Sequence, residues 1–200
     1  MPKARRASKG EGNQPRFEVR KYLYEMIGVD LTQIDGISAY TALVVVSEIG
    51  TDMSAWESSK EFGSWLCLSP GSKISGGKAL STRSKPGANR AANQLRMSAQ
   101  ALSNSHSALG GYYRRMRARI GGPKAITATA YKLARLIYSM MKNGTEYVDK
   151  GEEVYEEQHR ERALKNLKRR ARQMGYELVK SDSREDFSRP VESMTYGGVS

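Results

Sequence analysis

Between Phe62 and Thr145 the chain contains neither Asp nor Glu. Those 84 residues hold 14 Lys and Arg, a local charge of +14, while the whole chain is only +12. The remaining residues are therefore slightly acidic. Charge segregated this sharply is not needed for folding. It builds a one-signed field that attracts and holds a polyanion, and nucleic acid is the default partner. The same stretch limits the chemistry: without a carboxylate it cannot hold a divalent metal by itself.

Two hundred residues suit one domain with tails, or two small ones. Only 38% are hydrophobic, but these cluster between about Phe17 and Val179, so a core is accessible. Residues 1–16 and 181–200 are polar and read as disordered arms, the first of them basic. The N-terminal arm has no apolar core of a secretory signal, and no run approaches the roughly 20 apolar residues of a membrane span. One cysteine, Cys67, rules out an intrachain disulfide and fits a reducing compartment. His106, His159 and Cys67 make no convincing zinc set. With no dinucleotide fingerprint and no phosphate-binding P-loop, nucleotide-cofactor enzymes are poor candidates.

The periodicity is helical almost throughout, so the expected fold is mainly all-α. Phe17 to Ile27 reads as a short helix. Asp30 or Thr32 can cap a second, Asp35-Gly36 turns the chain, and Ser38 caps a helix ending at Gly50. Over about 30–50 this gives a helix-hairpin-helix-like start, which presents turn amides and a helix N-terminus to phosphate. Val44-Val45-Val46 tempts a strand assignment, but the capped ends favour helix. Ser54 or Ser58 opens a helix through Phe62, Trp65 and Leu66. Asn89 to Leu109 is read as one helix with Leu95, Ala99 and Leu102 on its apolar stripe, broken by Gly110-Gly111. Tyr112 to Ile120 is then a short, very basic helix. Gly121-Gly122-Pro123 stops it, and Pro123 suits the first turn of the next. Lys124 to Met141, with Ile126, Ala130, Leu133 and Ile137 in register, is the expected core helix. Glu152 to Met174 is a long helix, acidic at its start and basic after, as the helix dipole favours. Its Leu164, Leu167, Ala171 and Met174 keep a 3-4-3 spacing, which suits a solvated helix docked by one stripe or a dimer- or DNA-facing one. The expected divisions are 1–16, 17–148, 149–180 for the C-terminal basic helix, and 181–200.

Residues 69–87 differ. Five serines, two prolines and four glycines make a long loop or a short hairpin at about Ile74 to Thr82. Ser75 stands before Gly76 and Gly77, with Lys73 and Lys78 close by. Glycines let a backbone approach phosphate, and lysines lower the cost of negative charge. A hydroxyl there could attack a phosphodiester if a base from another domain or subunit removed its proton. Equally, a serine in such a loop can be a plain turn residue. For nucleic-acid backbones the charge pattern nominates Lys73, Lys78, Arg83, Lys85, Arg90, Arg96, Arg114, Arg115, Arg117 and Lys124.

In order along the chain stand Gly28-Val-Asp-Leu-Thr-Gln-Ile-Asp-Gly-Ile, Ser47-Glu-Ile-Gly, Phe62-Gly-Ser-Trp-Leu, Leu68-Ser-Pro and Ile74-Ser-Gly-Gly-Lys. There follow Asn89-Arg-Ala-Ala, Leu95-Arg, Ala108-Leu-Gly-Gly-Tyr-Tyr-Arg-Arg, Pro123-Lys-Ala-Ile-Thr-Ala-Thr-Ala, Lys132-Leu-Ala-Arg and Gly175-Tyr-Glu-Leu. With this series the chain resembles, over about 17–179, the C-terminal transposase domain of insertion-sequence transposases of the IS-one-ten and IS-eleven-eleven type, which are bridge-RNA-guided recombinases. The resemblance implies that Ser75 is the nucleophile for DNA strand cleavage and exchange. It implies donor and target DNA and a structured bridge RNA as partners, and a homo-oligomer, dimer or tetramer. It implies a prokaryotic, cytoplasmic, nucleoid-associated protein with no membrane partner. It further implies a RuvC-like DEDD domain, in cis or trans, that carries the magnesium and the acid. No cofactor is expected in this chain, where that domain is expected to be missing, and activity of the chain alone is not expected. The competing expectation is a non-catalytic nucleic-acid-binding remnant, or a regulator of a full-length transposase.

Overall fold

Helix starts in this chain are written in short polar side chains, and the computed structural model follows them closely. It describes residues 1, 17–71, 73–81, 84, 86, 87 and 89–180. The arms expected at 1–16 and 181–200 lie outside the described residues, apart from Met1. The described chain is mainly helical. It opens with α1 (Val19–Ile27), a single 3-10 turn (Leu31–Gln33), α2 (Ala39–Ile49) and α3 (Ser59–Trp65). A two-stranded hairpin, β1 (Lys73–Ser75) and β2 (Lys78–Ser81), follows. Then come α4 (Arg90–Ala101), a second 3-10 turn (Leu102–Asn104), α5 (Ala108–Ile120), α6 (Gly122–Asn143) and α7 (Gly151–Gln173). Ser38, Ser58, Asn89 and Ser107 each cap a helix by accepting a backbone N–H three residues on, which satisfies a donor the helix cannot. Pro123 sits in the first turn of α6. The valine run at 44–46 is helical, inside α2.

The chain divides into two units, 1–158 and 159–200. In the first, α6 is the central helix and packs on α3, α4 and α5, while α2 packs on α4 and α1 on α2. Ala125, Ala130, Leu133, Ala134 and Ile137 of α6 are fully buried, as are Ala91, Leu95 and Ala99 of α4. The alternation of alanine with leucine and isoleucine lets facing helices approach closely and still fill the space between them. Phe62 is fully buried, ringed by Trp56, Trp65 and Tyr138 at centroid distances of 5.0, 6.4 and 5.8 Å. Each such fully buried large apolar side chain contributes about 1.5–3 kcal/mol.

An ionic clip fixes the start of this unit. Asp30 is buried and caps the 3-10 turn. Its carboxylate accepts from the Arg20 guanidinium (Nε, 2.9 Å), the Thr32 hydroxyl (2.6 Å) and Gln33 Nε2 (2.9 Å). Burial alone would raise the Asp30 pKa. The hydrogen bonds from Arg20, Thr32 and Gln33 outweigh it, and the net shift is downward.

The glycine pair 110–111 does not break a helix, as the sequence suggests it should. Both residues lie inside α5, and the chain breaks earlier, at the second 3-10 turn and the Ser107 cap. Their small size is the reason. A Cβ on Gly110 would collide with the Ser105 backbone carbonyl, and one on Gly111 would press on Tyr155 Cδ1 (3.2 Å) and Glu152 Cγ (3.3 Å). Glycine costs up to about 1 kcal/mol in a helix interior, and here it admits the neighbouring chain.

Leu164 and Leu167 of α7, and Met174 just past its end, are exposed, and only Ala171 is buried. The 3-4-3 ladder is present on the helix, but three of its four members face solvent. Gly175, at φ +82°, ends the helix in a Schellman turn: Tyr176 N–H donates to Ala171 O (2.9 Å) and Gly175 N–H to Arg172 O (3.1 Å).

Two outcomes follow from these contacts. Gly110→Ala should destabilise the protein by about 1–3 kcal/mol in urea denaturation, because backbone cannot yield to the added methyl as a side-chain tip can. Asp30 has a lowered folded-state pKa, so its stabilisation is complete above the usual carboxylate value and is lost as pH falls through the folded one. The stability gap between the wild type and Asp30→Asn should therefore be constant from neutral pH to about pH 5 and close below about pH 4.

Candidate functional site

The serine-bearing segment folds as a hairpin because two consecutive residues can take positive φ. Gly76 and Gly77 have φ of +55° and +76°, the pattern of the two-residue turn whose twist matches its strands. A Cβ on either would meet nothing within 4 Å. Glycine is demanded here by the backbone angles and not by crowding. The register pairs Ser75 with Lys78, Ile74 with Ala79 and Lys73 with Ser81, with an irregularity between Lys73 and Ile74. Residues directly opposite in such a pair have Cα atoms about 4.5–5.5 Å apart. Ser75 is thus the last residue of its strand, at the hairpin tip, directly across from a lysine.

Ser75 is exposed, as are Gly76 and Gly77. Neither strand packs extensively on a described helix. The hairpin is anchored from below. Leu66 and Leu68 are buried before it, and Ala91 and Ala92 after it. Cys67 holds a positive φ of 55°, uncommon for a residue with a side chain, and meets the far end of the loop: a Cβ on Gly87 would lie 2.8 Å from Cys67 Sγ. Sequence alone does not reveal this clasp, because Cys67 and Gly87 lie 20 residues apart.

The basic residues divide into four groups. Lys73 and Lys78 lie on the hairpin strands, and Arg83 and Lys85 lie outside the described residues. Arg90 and Arg96 sit on α4. Arg90 is largely exposed and pairs with Glu48 at 3.2 Å, while Arg96 donates to Asn93 (3.0 Å). Arg117 and Lys124 flank the α5–α6 junction, exposed, together with Arg119. Neither Arg117 nor Lys124 makes an ion pair with a described residue.

Arg114 and Arg115 are committed internally. Arg114 donates to the carbonyls of Ser103 (2.9 Å) and Ser105 (2.8 Å) and pairs with Glu152. Arg115 pairs with Glu156, and its guanidinium lies 5.2 Å from the Tyr155 ring centre. The Arg114 hydrogen bond, with the charges of Arg114 and His106, holds Glu152 below the usual carboxylate range. Lys132 Nζ stands 4.0 Å over the Tyr112 ring. Burial of Tyr112, with Tyr155 beside it, pushes its phenol up, so it stays protonated. The start of α7 thus supplies the carboxylates that the segment 62–145 lacks. Sequence could not show this, because the partners lie about 40 residues away.

Among the described residues no three His, Cys, Asp or Glu come together as a metal site. No described helix is long and apolar enough to cross a membrane.

Residues 28–114 match the Transposase IS116/IS110/IS902 family. This match is consistent with a transposase domain of that family. The matched region runs from the end of α1 through the hairpin to Arg114 and so contains Ser75. A search of curated proteins found none that matches the chain.

The commitment of Arg114 separates folding from binding. Arg114→Ala should cost about 1–3 kcal/mol of stability in thermal or urea unfolding, since it strips donors from two carbonyls and Glu152. Arg117→Ala should change stability by less than about 0.5 kcal/mol and weaken nucleic-acid binding in an anisotropy titration.

Proposed function

We propose that this transposase domain acts on DNA through Ser75, as the nucleophile of strand cleavage and exchange within an insertion sequence. One observation carries the reading: an exposed serine at the tip of a hairpin, opposite a lysine, inside a segment of 84 residues without a carboxylate. The Ser75 hydroxyl attacks the phosphorus of a DNA phosphodiester. A bond forms from serine oxygen to phosphorus, the bond to the leaving deoxyribose oxygen breaks, and the serine proton passes to a base while the leaving oxygen gains one. The positive-φ turn keeps the tip free of side-chain bulk, so a phosphate can approach. Lys73 and Lys78 supply local positive charge, and Arg83, Lys85, Arg90, Arg96, Arg117 and Lys124 hold flanking backbone.

The base and the acid come from outside the hairpin, which has no carboxylate. In this reading a RuvC-like domain, in cis or trans, provides them together with its magnesium. A structured bridge RNA selects donor and target DNA, and the protein works as a homo-oligomer. The carboxylate-free loop supports this division of labour: a phosphate pocket with its own acids would repel the DNA it must bind.

The test is a denaturing gel for a protein–DNA adduct, with labelled donor and target DNA, the element's RNA and magnesium, with and without a RuvC-like domain added. An adduct is expected when that domain is present, and none with Ser75→Ala, which should still bind DNA. An adduct that survives Ser75→Ala would sink the assignment. Tight binding with no adduct, beside a working full-length transposase, would leave a binding regulator instead.

A further inference from the structure

The second unit carries a charged face that the serine chemistry does not use. Between Arg160 and Arg172 there are seven Lys and Arg and one carboxylate, Glu161. Every residue from Arg160 to Arg172 is exposed except Ala171. Four of these cations, Lys165, Lys168, Arg169 and Arg172, fall at i, i+3, i+4 and i+7, which places them on one side of α7. None of the four makes an ion pair with a described residue. Glu161 lies on the same side, four residues before Lys165, and leaves four cations against one carboxylate.

Leu164, Leu167, Ala171 and Met174 form the apolar ladder of the same helix. At 3.6 residues per turn the two sets are centred about 130° apart. That separation decides between two kinds of anionic surface. A helix lying on a membrane buries its apolar stripe and keeps its cations at the flanks, where they reach the headgroups. Here Arg169 points almost directly away from the apolar ladder, and so away from any bilayer the ladder entered. A polyanion laid along the basic side meets all four cations at once and leaves the apolar side unused. The four residues span about 10 Å of helix axis, and a duplex presents one phosphate per about 1.7 Å, so several phosphates come within reach.

We propose that the face of α7 formed by Lys165, Lys168, Arg169 and Arg172 is a further nucleic-acid-binding surface, which takes the phosphodiester backbone of a duplex. It reads no bases, because it offers charge without a fixed set of paired donors and acceptors. The assignment rests on charge and helix geometry, and it stands whether or not Ser75 is a nucleophile.

The test uses the full chain and measures anisotropy of a labelled DNA duplex, and of the RNA duplex of the same sequence, over a salt series. Replacing all four residues by Gln, which keeps helix propensity, should weaken binding at least about tenfold. It should also lower the slope of log affinity against log salt by about 3. The variant K165R/K168R/R169K/R172K should bind as the wild type does, and K165E/R169E should bind more weakly. Circular dichroism should show α7 intact in each. Ser75→Ala should leave these affinities unchanged, which separates this surface from the hairpin. Loss on either duplex supports the surface and says which nucleic acid it prefers. Unchanged affinity and salt slope in the Gln variant would overturn the proposal. So would duplex binding that is unaffected while binding to phosphatidylserine vesicles is lost.

Discussion

A helical core built from a segment with no carboxylate cannot neutralise its own arginines. Where such an arginine is partly buried, its charge costs free energy unless an acid or several carbonyls surround it. Arg114 and Arg115 meet this requirement with groups from elsewhere: Glu152 and Glu156 at the start of α7, and the carbonyls of Ser103 and Ser105. The same contact explains the glycines of α5. Gly110 and Gly111 make room for the Ser105 backbone and for the Tyr155 and Glu152 side chains. Small residues, imported carboxylates and the ring of Tyr155 are therefore one arrangement. With part of the basic segment neutralised in this way, its remaining exposed cations are left for a partner.

The hairpin is the opposite case. It gains little from the core, and what holds it in shape is local: two positive-φ glycines, a short ladder and a loop whose ends meet at Cys67 and Gly87. In the proposed function, a reactive group at such a tip reaches a bulky substrate that a cleft would exclude and relies on partners to bring the acid and the base. The transposase match across residues 28–114 includes this hairpin and the helices that anchor it.

Elements with local signals were legible. Ser38 and Gly50 bound α2, Ser58 starts α3, Pro123 opens α6 and the Gly-Gly turn makes the hairpin, each from its own side chain or backbone angle. The stripe on α6 was legible because a helix buried on one face repeats its apolar residues at 3–4 spacing. Gly110-Gly111 misled, because glycine usually reports backbone freedom and here reports a steric limit set by a distant residue. The long helix read from Asn89 to Leu109 was too long for a related reason. Ser107 is a better cap than any residue at the glycines, and Ser105 must turn its carbonyl toward α5.

The sequence by itself determined the helix starts at Ser38, Ser58 and Pro123, the glycine pair that follows Ser75 and the one-signed charge of the middle of the chain, because these depend on residues within a few positions of one another. Only the tertiary structure decided which arginines are spent on folding and which remain for a partner. Glu48 meets Arg90 across 42 residues, and Glu152 meets Arg114 across 38. A charge count sums such residues but cannot pair them, since an ion pair is set by distance in space and not along the chain.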